Sequence, residues 1–129
     1  GPMGEQSRHI HEVLMNPRLC KIVVVTLAEE LPVQESIELV EQIKAEFGQE
    51  PEVIGNKFLQ SPLEIDELQA LRGKVPGRDE FIEFLLMTLN RQNRARERLK
   101  GAAINYCELP FIFAEKPLAR IERLSREII

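Results

Sequence analysis

Residues Lys21 to Ser36 read KIVVVTLAEELPVQES, and Ile22 to Thr26 are β-branched without a break. Such a run suits a strand buried on both faces, as in a parallel sheet. The short acidic link Ala28-Glu29-Glu30 follows. Leu31-Pro32 then opens a patterned helix, with proline near its first turn. Strand, tight turn and helix in that order predict an α/β unit. In open sheets of that class, ligands sit at the carboxyl ends of strands, beside helix N-termini.

The rest of the chain repeats the alternation. Ile10, Val13 and Leu14 recur at helical spacing from Glu5 to Met15, and Asn16-Pro17 ends that segment. The second helix is expected from about Val33 to Phe47. Val33, Ile37, Val40, Ile43 and Phe47 form its stripe, and Gly48 its stop. Pro51 to Phe58 (PEVIGNKF) is a second strand, where Gly55-Asn56 predicts a bulge or a close backbone approach. Leu63 to Leu71 forms a short helix capped by Ser61 with Glu64 three residues later.

A long helix follows from about Asp79 to Lys100, apolar first and basic after Arg91, with Gly101 as its stop. Phe81, Phe84, Leu85, Leu86 and Met87 are more apolar side chains than one face can bury, so part of them is expected to meet another domain or chain. The basic run reads as a solvated face that complements the helix dipole. Ala102 to Leu109 is a third strand, and Pro110 to Pro117, with Phe111, Ile112 and Phe113, an apolar loop. A last helix from Pro117 turns Leu118, Ile121, Leu124 and Ile128 inward. The expected fold is therefore α/β: a small, mostly parallel, three-layer sheet of about three strands flanked by helices.

A length of 129 residues suits one such domain. Gly1-Pro2 before Met3 looks like a protease-cleavage scar, so 1–4 is set aside as a tag remnant and 5–129 is the domain. A net charge of −4 weighs against nucleic acid as a partner. No apolar run approaches the ~18 residues of a membrane span, and no signal peptide is visible, so membrane insertion is not expected and a cytoplasmic home is the default. Cys20 and Cys107 read as free buried thiols, and no residue set has metal-ligand spacing.

The order VVVTLAEELPVQES, amphipathic helix, VIGNKF, long helix rich in Arg and Gln, then LPFIFAEKPLARIERLS resembles the C-terminal part of the ArsA-type ATPases. These are the deviant-Walker P-loop NTPases that pump anions or target tail-anchored proteins. The family's acidic link and the Glu of its next helix are similar to Thr26–Glu29 and Glu35. Its V-x-N-x-x strand end is similar to Val53–Phe58, and its R-x-x-Q helix loosely to Asn90-Arg91-Gln92. The resemblance spans about Val13 to Arg126.

It implies that Asn56 hydrogen-bonds an adenine, since an amide offers a donor and an acceptor to a purine edge. It implies that Pro110, Phe111 and Ile112 begin the loop covering the base. Asn56 equally suits a bulge, and the apolar triplet equally suits core packing. The implied cofactor is ATP, with magnesium in the full-length parent and none bound to this portion alone. These residues hold no G-x-x-x-x-G-K-[ST] and only 7 glycines, so the family's phosphate cradle and magnesium ligands are missing from them and no catalytic residue is assigned. The Glu29-Glu30 pair reads as a solvated turn. Two functions follow. One is the C-terminal portion of such an ATPase, inactive alone, whose partner is the rest of the enzyme or a second copy. The other is an autonomous non-catalytic interaction or dimerisation module, for which a homo-oligomer is expected.

Overall fold

The computed structural model describes residues 2–112 and 117–128. Its elements are α1 (Pro2–Met15), β1 (Val23–Leu27), α2 (Glu30–Phe47), β2 (Glu52–Phe58), α3 (Ile65–Leu71), α4 (Asp79–Ala102), β3 (Asn105–Pro110) and α5 (Pro117–Ile128). The three strands form one parallel sheet in the order β1-β2-β3, with Val24 beside Val53 and Val53 beside Tyr106. This is an α/β fold, consistent with a small three-layer domain. Residues 113–116 of the expected apolar loop, Phe113 among them, lie outside the described residues, as do the side chains of Pro117 and Ile128.

The core lies between the sheet and two helices. Val24 and Val53 meet Val33, Val40 and Ile43 of α2 and Ala95 and Leu99 of α4, all buried. Burying each large aliphatic side chain contributes roughly 1.5–3 kcal/mol. Of the expected stripe of α2, Val33, Val40 and Ile43 are buried and Ile37 and Phe47 are half-buried against the core, and Gly48 ends the helix at φ 63°, donating its N–H to the Lys44 carbonyl. A second cluster, Leu68, Ile82 and Leu86, packs α3 against the first half of α4.

Several expectations are corrected. β1 is buried on one face only: Val24 and Thr26 are inside, while Val23, Val25 and Leu27 are 44%, 57% and 37% exposed. Right-handed crossovers that step the same way across a sheet fall on the same face. α2 and α4 therefore cover one side, and among the described residues β1 keeps its other side and its outer edge open. α5 does not turn its whole stripe inward: Leu118 and Ile121 are exposed and Leu124 is half-buried; it meets the body of the fold through β3. α1 begins at Pro2, within the residues set aside as a tag, and buries none of its side chains. Ser61 does not cap α3. Its hydroxyl closes a turn with Leu63, and the N-cap is Glu64, whose N–H is accepted by Glu67. Gly101 lies inside the last turn of α4, which runs on to Ala102. Cys107 is exposed and Cys20 half-buried, both free.

The basic end of α4 is not all solvated. Arg96 grips Glu108 of β3 with Nε to Oε2 at 2.5 Å and Nη2 to Oε1 at 2.8 Å. Tyr106 donates its hydroxyl to the same carboxylate at 2.7 Å. The guanidinium also lies 5.5 Å from the centre of the Phe58 ring. Burial alone would raise the Glu108 pKa, but the hydrogen bonds from Arg96 and Tyr106 and the Arg96 charge outweigh it and hold the carboxyl below its ordinary 4.5. Burial, then the Glu108 hydrogen bond, pushes the Tyr106 phenol up.

A depressed carboxylate pKa adds stability that is complete above the unfolded value and fades as pH falls through the folded one. Glu108→Gln should therefore cost roughly 1–3 kcal/mol in urea unfolding at pH 7. The gap to the unaltered protein should begin to narrow as pH falls below about 4.5 and close only beneath the depressed folded-state value, where that protein too carries a neutral side chain. A gap that stays constant as pH falls from 7 into the acid range would show that charge is not the source.

Candidate functional site

The site forms where β2 ends. The ladder to β3 is regular from Glu52 to Gly55 and then slips, so that Phe58 rather than the expected neighbour stands beside Pro110. Lys57 takes up the slip at φ 58°, a left-handed conformation uncommon for a side-chain-bearing residue. Gly55 is required here. A Cβ on it would lie 2.7 Å from both the Phe58 ring and the Tyr106 hydroxyl. The bulge and the close approach expected from Gly55-Asn56 are thus both present.

The strand end is fastened from α4. Gln92 is buried and answers both backbone groups of Leu59: its Oε1 accepts the Leu59 N–H at 2.5 Å, and its Nε2 donates to the Leu59 carbonyl at 3.1 Å. On the other side Phe111 donates its backbone N–H to the Phe58 carbonyl at 2.8 Å. Three segments distant in sequence thereby meet at one point: 56–59, the middle of α4, and the residues after β3.

A cleft of about 480 Å³ opens at this meeting point, beside the carboxyl ends of β1 and β2. That is the size and position of ligand clefts in open α/β sheets. Its apolar lining includes Leu27, Leu59 and the rings of Phe84 and Phe111. Asn56, Thr88 and Gln92 supply neutral polar groups, and Glu29, Lys57 and Arg91 carry charge at its exposed rim. An adjoining recess of about 260 Å³ shares Ala28, Glu29 and Arg91 with the cleft and continues to Arg94 and Arg98 beside the start of α2. There Arg98 donates to the side-chain carbonyl of Gln34.

Of the residues predicted from sequence, Asn56 and Phe111 line the cleft together. Pro110 does not; it closes β3 beside Phe58. Ile112 is buried rather than lining the cleft. The α4 side of the site, Phe84, Thr88, Arg91 and Gln92, was not anticipated as a site. The signal was available, since those positions are spaced by about one turn and two turns and so share a face. It was masked by the stronger apolar stripe of Ile82, Leu86, Ala95 and Leu99 beside it.

The chemistry offered is recognition. A planar, partly polar molecule would find two aromatic side chains, an amide and a hydroxyl, with charge at the rim. Among the described residues no group of three His, Cys, Asp or Glu could hold a metal ion. No helix among them is long and apolar enough to cross a membrane. No protein-family model matches the chain, and no curated protein matches it.

Gln92→Leu removes the partner of two buried backbone groups at similar side-chain size. It should destabilise the protein by roughly 2 kcal/mol. It should also speed hydrogen exchange of the Leu59 amide far more than that of Val53. Equal protection of Leu59 in both proteins would show that the clamp is not what orders the strand end.

Proposed function

We propose that this chain supplies the base-binding side of a nucleotide site, as the C-terminal portion of an ArsA-type ATPase would. The observation that carries the reading is the cleft at the strand ends, where Asn56 and Phe111, 55 positions apart, line one cavity with Phe84 and Thr88. The amide can pair with a purine edge while the rings cover its face. The orphaned hydroxyl of Thr88 fits a ligand with hydrogen-bonding capacity of its own. ATP is the cofactor the resemblance implies, and Asn56 and Phe111 are the residues that would hold its base. Bound ATP would supply a transferable phosphoryl group. These residues contain no glycine-rich phosphate loop, so transfer requires groups from elsewhere in a larger protein or from a partner.

A second reading, a non-catalytic interaction module, is favoured by the open side of β1 and the exposed Leu118 and Ile121 of α5. An unpaired strand edge with apolar neighbours is a surface that other chains can add to. On this reading the partner is a second copy or another protein, and the cleft is incidental.

The readings separate in a titration with ADP followed by amide NMR. Most nucleotide affinity comes from phosphate contacts, so this chain should bind with a Kd of about 1 mM or weaker. Shifts should be confined to Asn56, Lys57, Leu59, Phe111 and the Phe84–Gln92 turn, and Asn56→Ala should remove them. Micromolar binding indifferent to Asn56→Ala, or no response at these amides at 10 mM ADP, would defeat the nucleotide reading. Dimerisation in sedimentation equilibrium, with no ADP response, would support the second.

A further inference from the structure

Thr88 is 9% exposed, and its hydroxyl is the buried side-chain group left without a hydrogen-bond partner among the described residues. Threonine inside a helix commonly bonds the carbonyl one turn back, which here is that of Phe84. Thr88 makes no such bond. A buried hydroxyl with nothing to bond is costly, and folded proteins rarely keep one without a use for it. The residue lines the cleft between Asn56 and the face of α4 that carries Phe84 and Arg91.

The arrangement of the walls says which part of a ligand would meet it. Thr88 and Gln92 are both buried, while Glu29, Lys57, Phe84 and Arg91 are exposed. Both Gln92 polar groups are already taken by Leu59. The hydroxyl of Thr88 is thus the buried polar group of the cleft lining left without a partner. A charged phosphate belongs at the solvated, arginine-bearing rim, because desolvating it deeper would be far more expensive. An uncharged planar base belongs in the interior.

We infer that Thr88 is a ligand-recognition residue, whose hydroxyl bonds the heterocycle edge of a nucleoside held in the Asn56 cleft. Threonine in a helix has two accessible χ1 wells, so a single rotation suffices to present the hydroxyl to a ligand. The same group can donate or accept and therefore suits either a ring nitrogen or an exocyclic amine. This inference rests on the nucleotide reading of the cleft and assigns it a residue outside Asn56 and the segment after β3.

The test uses adenosine, which has the base without phosphates, alongside ADP. Thr88→Val keeps the shape and removes the hydroxyl. It should raise the melting temperature of the free protein by a few degrees, because the unsatisfied group is gone. It should weaken adenosine and ADP alike, by about five- to tenfold in NMR titration. Thr88→Ser should keep affinity within about twofold. Arg91→Gln, altering the rim, should weaken ADP more than adenosine.

Thr88→Val that leaves adenosine affinity unaltered, while Asn56→Ala still abolishes binding, would overturn the role of Thr88 and leave the nucleotide reading standing. A fall in melting temperature on Thr88→Val would also overturn it, since the hydroxyl would then be satisfied within the fold. Absence of any adenosine or ADP response in the unaltered chain would overturn both.

Discussion

Two crossovers that step the same way across a parallel sheet must lie on one side of it if both are right-handed. In this chain α2 carries the first step and α4, after the short α3, carries the second. Nearly everything else follows. The two helices meet over the sheet, so Val33, Val40, Ile43, Ala95 and Leu99 can share a single core with Val24 and Val53. The middle of α4 is brought over the carboxyl ends of the strands, where a cleft can form. The opposite side of β1 is left to solvent. A third crossover returning the other way would cover it, as happens in doubly wound sheets.

The cleft depends on how β2 stops. Had the strand run on in register, its end would lie flat against β3 and leave no recess. Gly55 permits Tyr106 and Phe58 to close over the backbone, and the left-handed turn at Lys57 re-aims the chain. Such strain persists only where surroundings enforce it. Here the enforcement comes from both sides: Gln92 saturates the backbone of Leu59, and Phe111 bonds the carbonyl of Phe58. The Arg96–Glu108–Tyr106 cluster then ties α4 to β3 next to this point. The site residues come from the ends of β1 and β2, from α4 and from the segment after β3, and these hydrogen bonds fasten them together.

Local rules were enough for the elements whose partners are near in sequence. The α2 stripe, the stop at Gly48 and the bulge around Gly55-Asn56 were readable because each depends on one residue type in one conformation. The two sides of β1 were not. Ile22–Thr26 is β-branched throughout, so its pattern does not distinguish a strand covered twice from one covered once; topology decides that. α5 misled for the converse reason. Its periodicity is real, yet a stripe says only that a face could be buried, and Leu118 and Ile121 stay exposed. In the cleft, Asn56 was named through the resemblance, while the residues themselves read equally well as a bulge. Thr88 and Gln92 were not, because their roles rest on backbone groups some thirty residues away and on the emptiness of the space between.

The two functional readings make different use of the same molecule. The cleft sits at the strand ends, against α4; the uncovered apolar surface lies across the sheet at β1. They share Leu27, whose side lines the cleft while the residue remains exposed at the end of the strand. Anything that paired with the β1 edge or covered its open side would therefore order one wall of the cleft as well. A partner on that surface and a nucleoside in the cleft would then help each other bind, because the order imposed by one is order the other no longer has to impose.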